Sequence, residues 1–199
     1  MKPTAKHKFC RRIGSCIWND ATCPSVKRPY PAGIHGPNKR RGKISTYGEL
    51  LLEKQKLRNF YNISEKQLRI SYAKSRKGTG KATEKLIQAL ELRLDTFVYR
   101  AGLAPTIFAA KQAVNHGHVL VNGKRLDRNA YQVQVGEVVS ISAEKSPAIA
   151  DIAKKTDTQV PTYIKSDNDA CTAELLSKPL EEEVTIPYEV MKVIEYYAR

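Results

Sequence analysis

Apolar positions recur along the chain with two periods, and each period marks a kind of element. Tyr47, Leu50, Leu51, Leu57 and Tyr61 keep an approximate helical spacing, with Ser45 or Thr46 placed to cap the first turn. Lys54, Lys56 and Arg58 fall on the opposite face. Ser64-Glu65-Lys66-Gln67 has the form of a capping box, so a second helix, with Leu68, Arg69 and Tyr72, runs to about Ser75. A basic, glycine-rich loop from Arg76 to Lys81 leads into a third helix that carries Leu86, Ile87 and Leu90. Leu94, Phe97, Val98 and Leu103 predict a short helix ending at Gly102. Thr106 caps the next, which holds Ile107, Ala110 and Val114 and stops at Gly117. The period then shortens. His118-Val119-Leu120-Val121 alternates like a strand, and Asn122-Gly123 is a strong hairpin signal. Tyr131–Val135 and Glu137–Ile141 add two strand-like runs separated by Gly136. Residues 146–187 are less patterned, with a short helix over Ile149–Lys155 and an acidic run, Glu181-Glu182-Glu183. After Pro187 a final helix sets Val190, Ile194 and Tyr197 on one side.

Charge narrows what this pattern serves. Lys and Arg number 34 against 20 Asp and Glu, a formal net charge of +14, which calls for a polyanionic partner. No run of about eighteen apolar residues exists to span a bilayer. The basic first residues lack the apolar stretch of a secretory signal, so nucleic acid is favoured over a membrane surface. Residues 1–43 hold Arg11, Arg12, Lys39, Arg40, Arg41 and Lys43 against the single acid Asp20, with many Pro and Gly. That composition predicts an extended basic arm rather than a helix-rich core.

Three groups of residues carry candidate chemistry. Cys10, Cys16 and Cys23 crowd into fourteen residues while Cys171 stands apart as a small apolar residue. Without a secretory context such a cluster reads as metal ligands or free thiols before disulfides, and the chain as intracellular. His7, Cys10, Cys16 and Cys23 could complete a tetrahedral zinc site, whose binding energy would help fold a core-poor arm. The paired Cys-x-x-Cys spacing is absent, and reduced, unliganded thiols are the other reading. Gly78-Thr79-Gly80-Lys81 lacks the spacing and the preceding strand of a phosphate-binding loop. No nucleophile, base and orienter form a set, so neither an enzyme nor a small-molecule substrate is expected. Arg100, Lys111, His116, His118, Asn122 and Lys124 gather around a helix end and a hairpin. They suit either an RNA backbone or plain solvent.

Arg93-Leu94-Asp95, Tyr99-Arg100-Ala101-Gly102, Ala110-Lys111-Gln112, Val114-Asn115-His116-Gly117-His118 and Val121-Asn122-Gly123 resemble the S-four RNA-binding domain. The resemblance implies a helix-helix-strand surface that docks on structured RNA. Arg93, Arg100, Lys111, Gln112, His116, His118, Asn122 and Lys124 would lie on or beside that face, with Asp95 buttressing the fold. Tyr30-Pro31-Ala32-Gly33-Ile34-His35-Gly36, the segment Tyr47 to Gln67 and the ending Ile194-Glu195-Tyr196-Tyr197-Ala198-Arg199 extend the likeness. They are similar to signatures of the small-subunit ribosomal protein four family. That family implies a structural role. It binds a five-way helical junction in the 5′ domain of small-subunit rRNA early in assembly. Neighbouring small-subunit proteins three and five are its partners, with mRNA near the entry tunnel, where Lys39, Arg40, Arg41 and Lys43 are the nearest matches. Some members hold zinc or an iron–sulfur cluster on four N-terminal cysteines. Here Cys10 and Cys23 match ligand places, His7 stands for a cysteine and Cys16 is displaced. The location implied is a ribosome, cytoplasmic or organellar.

The expected architecture is α+β, a helical domain with an inserted small α/β RNA-binding module and an extended basic N-terminal arm. The boundaries expected are an arm over 1–44 able to form a zinc knuckle, and a helical domain over 45–91 completed by 188–199. The S-four module takes 92–145, and a connecting segment, 146–187, packs on the helical domain. Arg11, Arg12, Lys54, Lys56, Arg58, Arg69 and Lys81 join the module's residues as expected RNA contacts. A tRNA synthetase or pseudouridine synthase bearing the same module would need a separate catalytic domain. A free-standing regulatory factor would need neither the N-terminal signatures nor the Tyr-Tyr-Ala-Arg ending.

Overall fold

A computed structural model of the chain describes residues 7–18, 20–38, 44–77, 80–142, 146–156, 159–184 and 186–198. The fold is α+β and divides into two units, residues 1–68 with 188–199, and residues 69–187.

The first unit is built on α3 (Thr46–Phe60), packed against α9 (Val190–Ala198). The Ser45 hydroxyl accepts a hydrogen bond from the Gly48 amide at 3.2 Å, the N-cap expected from sequence. Leu50, Leu57, Tyr61 and Val193 are buried. A charged clasp secures the packing. Lys54, itself buried, places its ammonium 2.9 Å from Glu65 and 4.7 Å from the centre of the Tyr196 ring. The Tyr197 hydroxyl donates to the same Glu65 carboxylate at 2.7 Å. Burial alone would push that carboxyl up, but Tyr197 and Lys54 outweigh it and hold it below the usual range.

The N-terminal residues depart from the expected extended arm. Two short helices form there, α1 (Lys8–Ile13) and α2 (Pro24–Lys27), and Cys10, Ile17 and Cys23 make a small core of their own. Phe9, Ile13, Cys16 and Trp18 cover it, and Phe60 and Tyr188 complete it from distant parts of the sequence. The reason is that cysteine packs as a small apolar residue, so this stretch has more core-forming side chains than its Pro and Gly content suggests. Gly14, at φ +81°, ends α1 by donating its amide to the Cys10 carbonyl.

The second unit holds α5 (Ala82–Glu91), α6 (Leu94–Arg100), α7 (Ile107–Asn115) and α8 (Pro147–Lys155) with a five-stranded sheet. The division between residues 68 and 69 falls within α4 (Glu65–Ser75), whose N-terminus is capped as expected by the Ser64 hydroxyl accepting from the Gln67 amide at 3.3 Å. The strands are β1 (Val119–Val121), β2 (Lys124–Arg125), β3 (Val138–Ile141), β4 (Ile164–Asp167) and β5 (Thr172–Leu175). All neighbours are antiparallel, in the order β2-β1-β3-β5-β4.

Two expectations fail here. Tyr131–Val135 is no strand of the sheet. Its backbone instead bonds the α5–α6 connection, with Leu94 N donating to Tyr131 O at 2.9 Å and Val133 N to Leu92 O at 2.8 Å. Conversely, residues 164–175, expected inside a connecting segment, form a hairpin that extends the sheet through β3. Its turn is held by the Asp167 carboxylate, which accepts from the amides of Asp169 and Ala170.

Glu91 ties this unit together. Its side chain is buried, and Arg100 donates to it twice, at 2.8 and 3.0 Å. The Tyr163 hydroxyl donates at 3.2 Å from the segment leading into β4. Burial and the carboxylate's charge raise the Tyr163 phenol, so it stays a donor. A carboxylate taken from water is stable only with such partners, and removing it would strand a guanidinium. Glu91→Ala should therefore destabilise the fold by about 3–5 kcal/mol, read as a lower urea midpoint. A loss below about 1 kcal/mol would show that the clamp is incidental.

Candidate nucleic-acid interface

Within the second unit, the end of α7 and the β1–β2 hairpin form one polar surface. Gly117, at φ +72°, turns the chain from α7 toward β1. Asn122 and Gly123, at φ +48° and +76°, make the tight turn that the dipeptide promised. Asn122 is also structural: its side-chain oxygen accepts from the Val138 amide at 3.0 Å, and its own amide donates to the Val138 carbonyl.

Gln112, His116, Asn122 and Lys124 are exposed on this surface. His118 is half-buried, its ring centre 5.8 Å from that of His116, and its Nδ1 meets the Ser146 hydroxyl. Lys111 is half-buried too. Burial lowers its ammonium pKa, with Asp95 opposing and Arg93 adding to the shift. Sequence reasoning missed Arg125. This residue is exposed, and its guanidinium donates to the His116 carbonyl at 3.3 Å, across the C-terminal end of α7. It lies so close over Gly117 that a side-chain carbon there would stand 2.0 Å from Nε. The missing side chain at 117 thus makes room for the guanidinium. The signal was a glycine needed for space as well as for its dihedral angle.

Other expected contacts are differently engaged. Arg93 is buried and forms a two-pronged pair with Asp95 at 3.0 and 3.1 Å. Arg100 is held by Glu91. Both serve the fold rather than presenting a free guanidinium. In the first unit, Lys54 is buried against Glu65, Lys56 sits 2.5 Å from Glu53, and Arg58 is half-buried and 3.9 Å from Glu65. Arg12, Arg69 and Lys81 are exposed, and Arg11 is half-buried. Lys39, Arg40, Arg41 and Lys43 lie outside the described residues.

The thiols come together as well. One ligand atom each of His7, Cys10 and Cys23 lies within 4.8 Å of the others. Cys23 Sγ stands 3.1 Å from His7 Nδ1 and 3.1 Å from the Ser25 hydroxyl. Cys16 packs against the same core, and its sulfur accepts from the Asp20 amide at 3.3 Å. It is not part of the three-residue group. Burial, followed by the neighbouring sulfurs, pushes the Cys10 thiol up to about 12. Burial also raises Cys23, but hydrogen bonds from Ser25, Cys16 and Cys10 bring it below the ordinary thiol value. The donor set is one imidazole and two sulfurs within 4.8 Å of one another, a spread comparable with the roughly 3.8 Å edge of a zinc–sulfur tetrahedron. These three residues could hold such an ion.

Two family models match adjoining stretches of the chain, together residues 2–139. The "Ribosomal protein S4/S9 N-terminal domain" covers residues 2–91 and the "S4 domain" covers residues 92–139. Curated relatives match over nearly the full length. A protein of Beijerinckia indica subsp. indica is 40% identical over 200 residues, spanning 98% of this chain and 97% of its own. Proteins of Paracoccus denitrificans and Brucella abortus are each 42% identical over 206 residues, spanning all of this chain and 98% of theirs. All three carry the name small ribosomal subunit protein uS4.

Proposed function

The chain belongs to the family of small ribosomal subunit protein uS4, a structural and non-enzymatic component of the ribosome, and from that we propose how it acts there. It is a primary binder of small-subunit rRNA that helps nucleate assembly by gripping a multi-helix junction of the 5′ domain. The observation that supports this is the hairpin face. Gln112, His116, Asn122 and Lys124, with Arg125, stand exposed around one helix end. Cations there neutralise phosphates, and the amide and imidazole groups reach ribose or phosphate oxygens. A rigid two-residue turn and the sheet behind it fix their spacing, so recognition works by shape and charge without bond chemistry.

The finer parts of the proposal follow the family resemblance. Small-subunit proteins three and five are its protein neighbours. Lys39, Arg40, Arg41 and Lys43 face mRNA at the entry site and bear on translational accuracy. The ribosome is a cytoplasmic or an organellar one. Residues 92–145 form the RNA module, 45–91 with 188–199 the helical domain, and 146–187 a connecting segment whose β4–β5 hairpin joins the module's sheet.

Zinc is proposed for the N-terminal cluster, with His7, Cys10 and Cys23 as ligands and Cys16 as the nearest fourth donor. When bound, it would cross-link α1 to α2 and add folding energy to a small core. Protein purified with zinc present should then retain about one equivalent per chain. A Cys10→Ser, Cys23→Ser variant should retain none, as measured by elemental analysis. Wild-type protein free of metal after such treatment would remove zinc from the account.

For the hairpin face, Lys124→Gln with Arg125→Gln should weaken binding to a 5′-domain rRNA transcript about tenfold or more. The slope of log affinity against log salt should become shallower by about two. Unchanged affinity and slope in filter binding would place the RNA elsewhere.

A further inference from the structure

The thiols of the N-terminal core carry chemistry independent of the hairpin face. Cys10, Cys16 and Cys23 share that core, and all are free thiols. They differ in how they meet solvent. Cys10 and Cys23 are buried, while Cys16 is half-buried among the residues that cover them. A small oxidant in solution therefore reaches Cys16 first.

The loop between Cys16 and Cys23 is folded so that its two ends meet at Asp20. The Asp20 amide donates to Cys16 Sγ at 3.3 Å, and the Asp20 carbonyl accepts from the Cys23 amide at 3.0 Å. The Asp20 carboxylate accepts from the Thr22 amide and hydroxyl, at 2.9 and 2.6 Å, and so closes the turn. At the meeting point the Cys16 thiol donates a hydrogen bond to Cys23 Sγ. The Ser25 hydroxyl and His7 Nδ1, each 3.1 Å from Cys23 Sγ, hold that sulfur in place from other sides. Two sulfurs already in hydrogen-bond contact need only a side-chain rotation to reach the roughly 2.05 Å of a disulfide. Cys10 also lies beside Cys23, but its side chain has no exposed surface at which an oxidant could start.

We propose that Cys16 and Cys23 are a peroxide-sensitive pair that closes reversibly to a disulfide. In the first step Cys16 Sγ attacks one oxygen of hydrogen peroxide. An S–O bond forms, the O–O bond breaks, and the departing hydroxide takes the Cys16 proton as water. In the second, Cys23 Sγ attacks Cys16 Sγ. The S–S bond forms, the S–O bond breaks, and the released hydroxyl takes the Cys23 proton as a second water. Two thiols lose two electrons in all, and one peroxide becomes two waters. A small thiol such as glutathione reverses the change by exchange. Cys23 is a ligand in the zinc reading above, so the disulfide withdraws a donor from that set. The pair itself needs no metal.

The test uses the full-length chain in a metal chelator, with hydrogen peroxide as the probe. Remaining thiols are blocked with N-ethylmaleimide in denaturant, and the chain is cut with trypsin without reduction and read by mass spectrometry. Cleavage after Lys8, Arg11, Arg12 and Lys27 puts Cys10 on one peptide and Cys16 with Cys23 on another. The expected product is the second peptide, unblocked and lighter by two hydrogens, with glutathione restoring both thiols. It should form about tenfold faster than the buried Cys171 is oxidised. In Cys23→Ser the sulfenic acid has no partner thiol to close on, and dimedone present during oxidation should label Cys16. Cys10 joined to either of the other two, or Cys16 driven to sulfinic acid while Cys23 stays free, would overturn the pair. Closure no faster than the oxidation of Cys171, or dimedone found on Cys10 in place of Cys16, would overturn it as well.

Discussion

A strongly basic chain folds only if its buried carboxylates take up some of its cations and leave the rest outside. Glu91 shows this constraint most clearly. It is sealed inside the second unit, where Arg100 and Tyr163 satisfy it from α6 and from the approach to β4. Asp95 does the same for Arg93, and in the first unit the half-exposed Glu65 takes up the buried Lys54. These pairs do not recommend themselves as sources of stability, since a desolvated ion pair gains little over an apolar one. What they fix is geometry: each carboxylate admits its partner in one place. With Arg93 and Arg100 so committed, α6 is set against its neighbours, and α7 and the hairpin are built on that base.

The cations left outside are arranged by different means. Arg125 is positioned by a backbone carbonyl and by the space over Gly117. Arg11 is positioned by two carbonyls and an aromatic face. Neutral anchors of this kind order a guanidinium without cancelling its charge, which suits a surface meant for phosphate. Such ordering lowers the entropy lost when the polyanion binds. The thiol core plays a comparable part at the N-terminus, where few other apolar residues could hold α1 and α2 together.

Much of this was legible in the chain. The caps at Ser45, Ser64 and Thr106 and the turn at Asn122-Gly123 are local devices, and they occur where sequence placed them. What failed depended on partners far along the chain. The alternation in Tyr131–Val135 is real, but nothing in it tells that the backbone bonds go to Leu92 and Leu94. The β4–β5 hairpin was hidden because Lys165, Ser166, Asp167 and Glu174 mask its apolar members, and its neighbour β3 lies about thirty residues earlier. The thiol core needed Phe60 and Tyr188, whose roles no window around Cys10 reveals. At the candidate interface, residue type identified cations but could not separate those facing a carboxylate from those facing solvent. Arg93 and Arg100 were therefore grouped with Lys124, and Arg125 was passed over.

The claim at the centre of this account is that the chain grips small-subunit rRNA directly. The most direct measurement mixes the purified protein with naked small-subunit rRNA, no other ribosomal protein present, and follows both through a sucrose gradient in high salt. The protein should migrate with the RNA at one copy per molecule. Protein left at the top of the gradient, and carried down only when other small-subunit proteins are added, would contradict it.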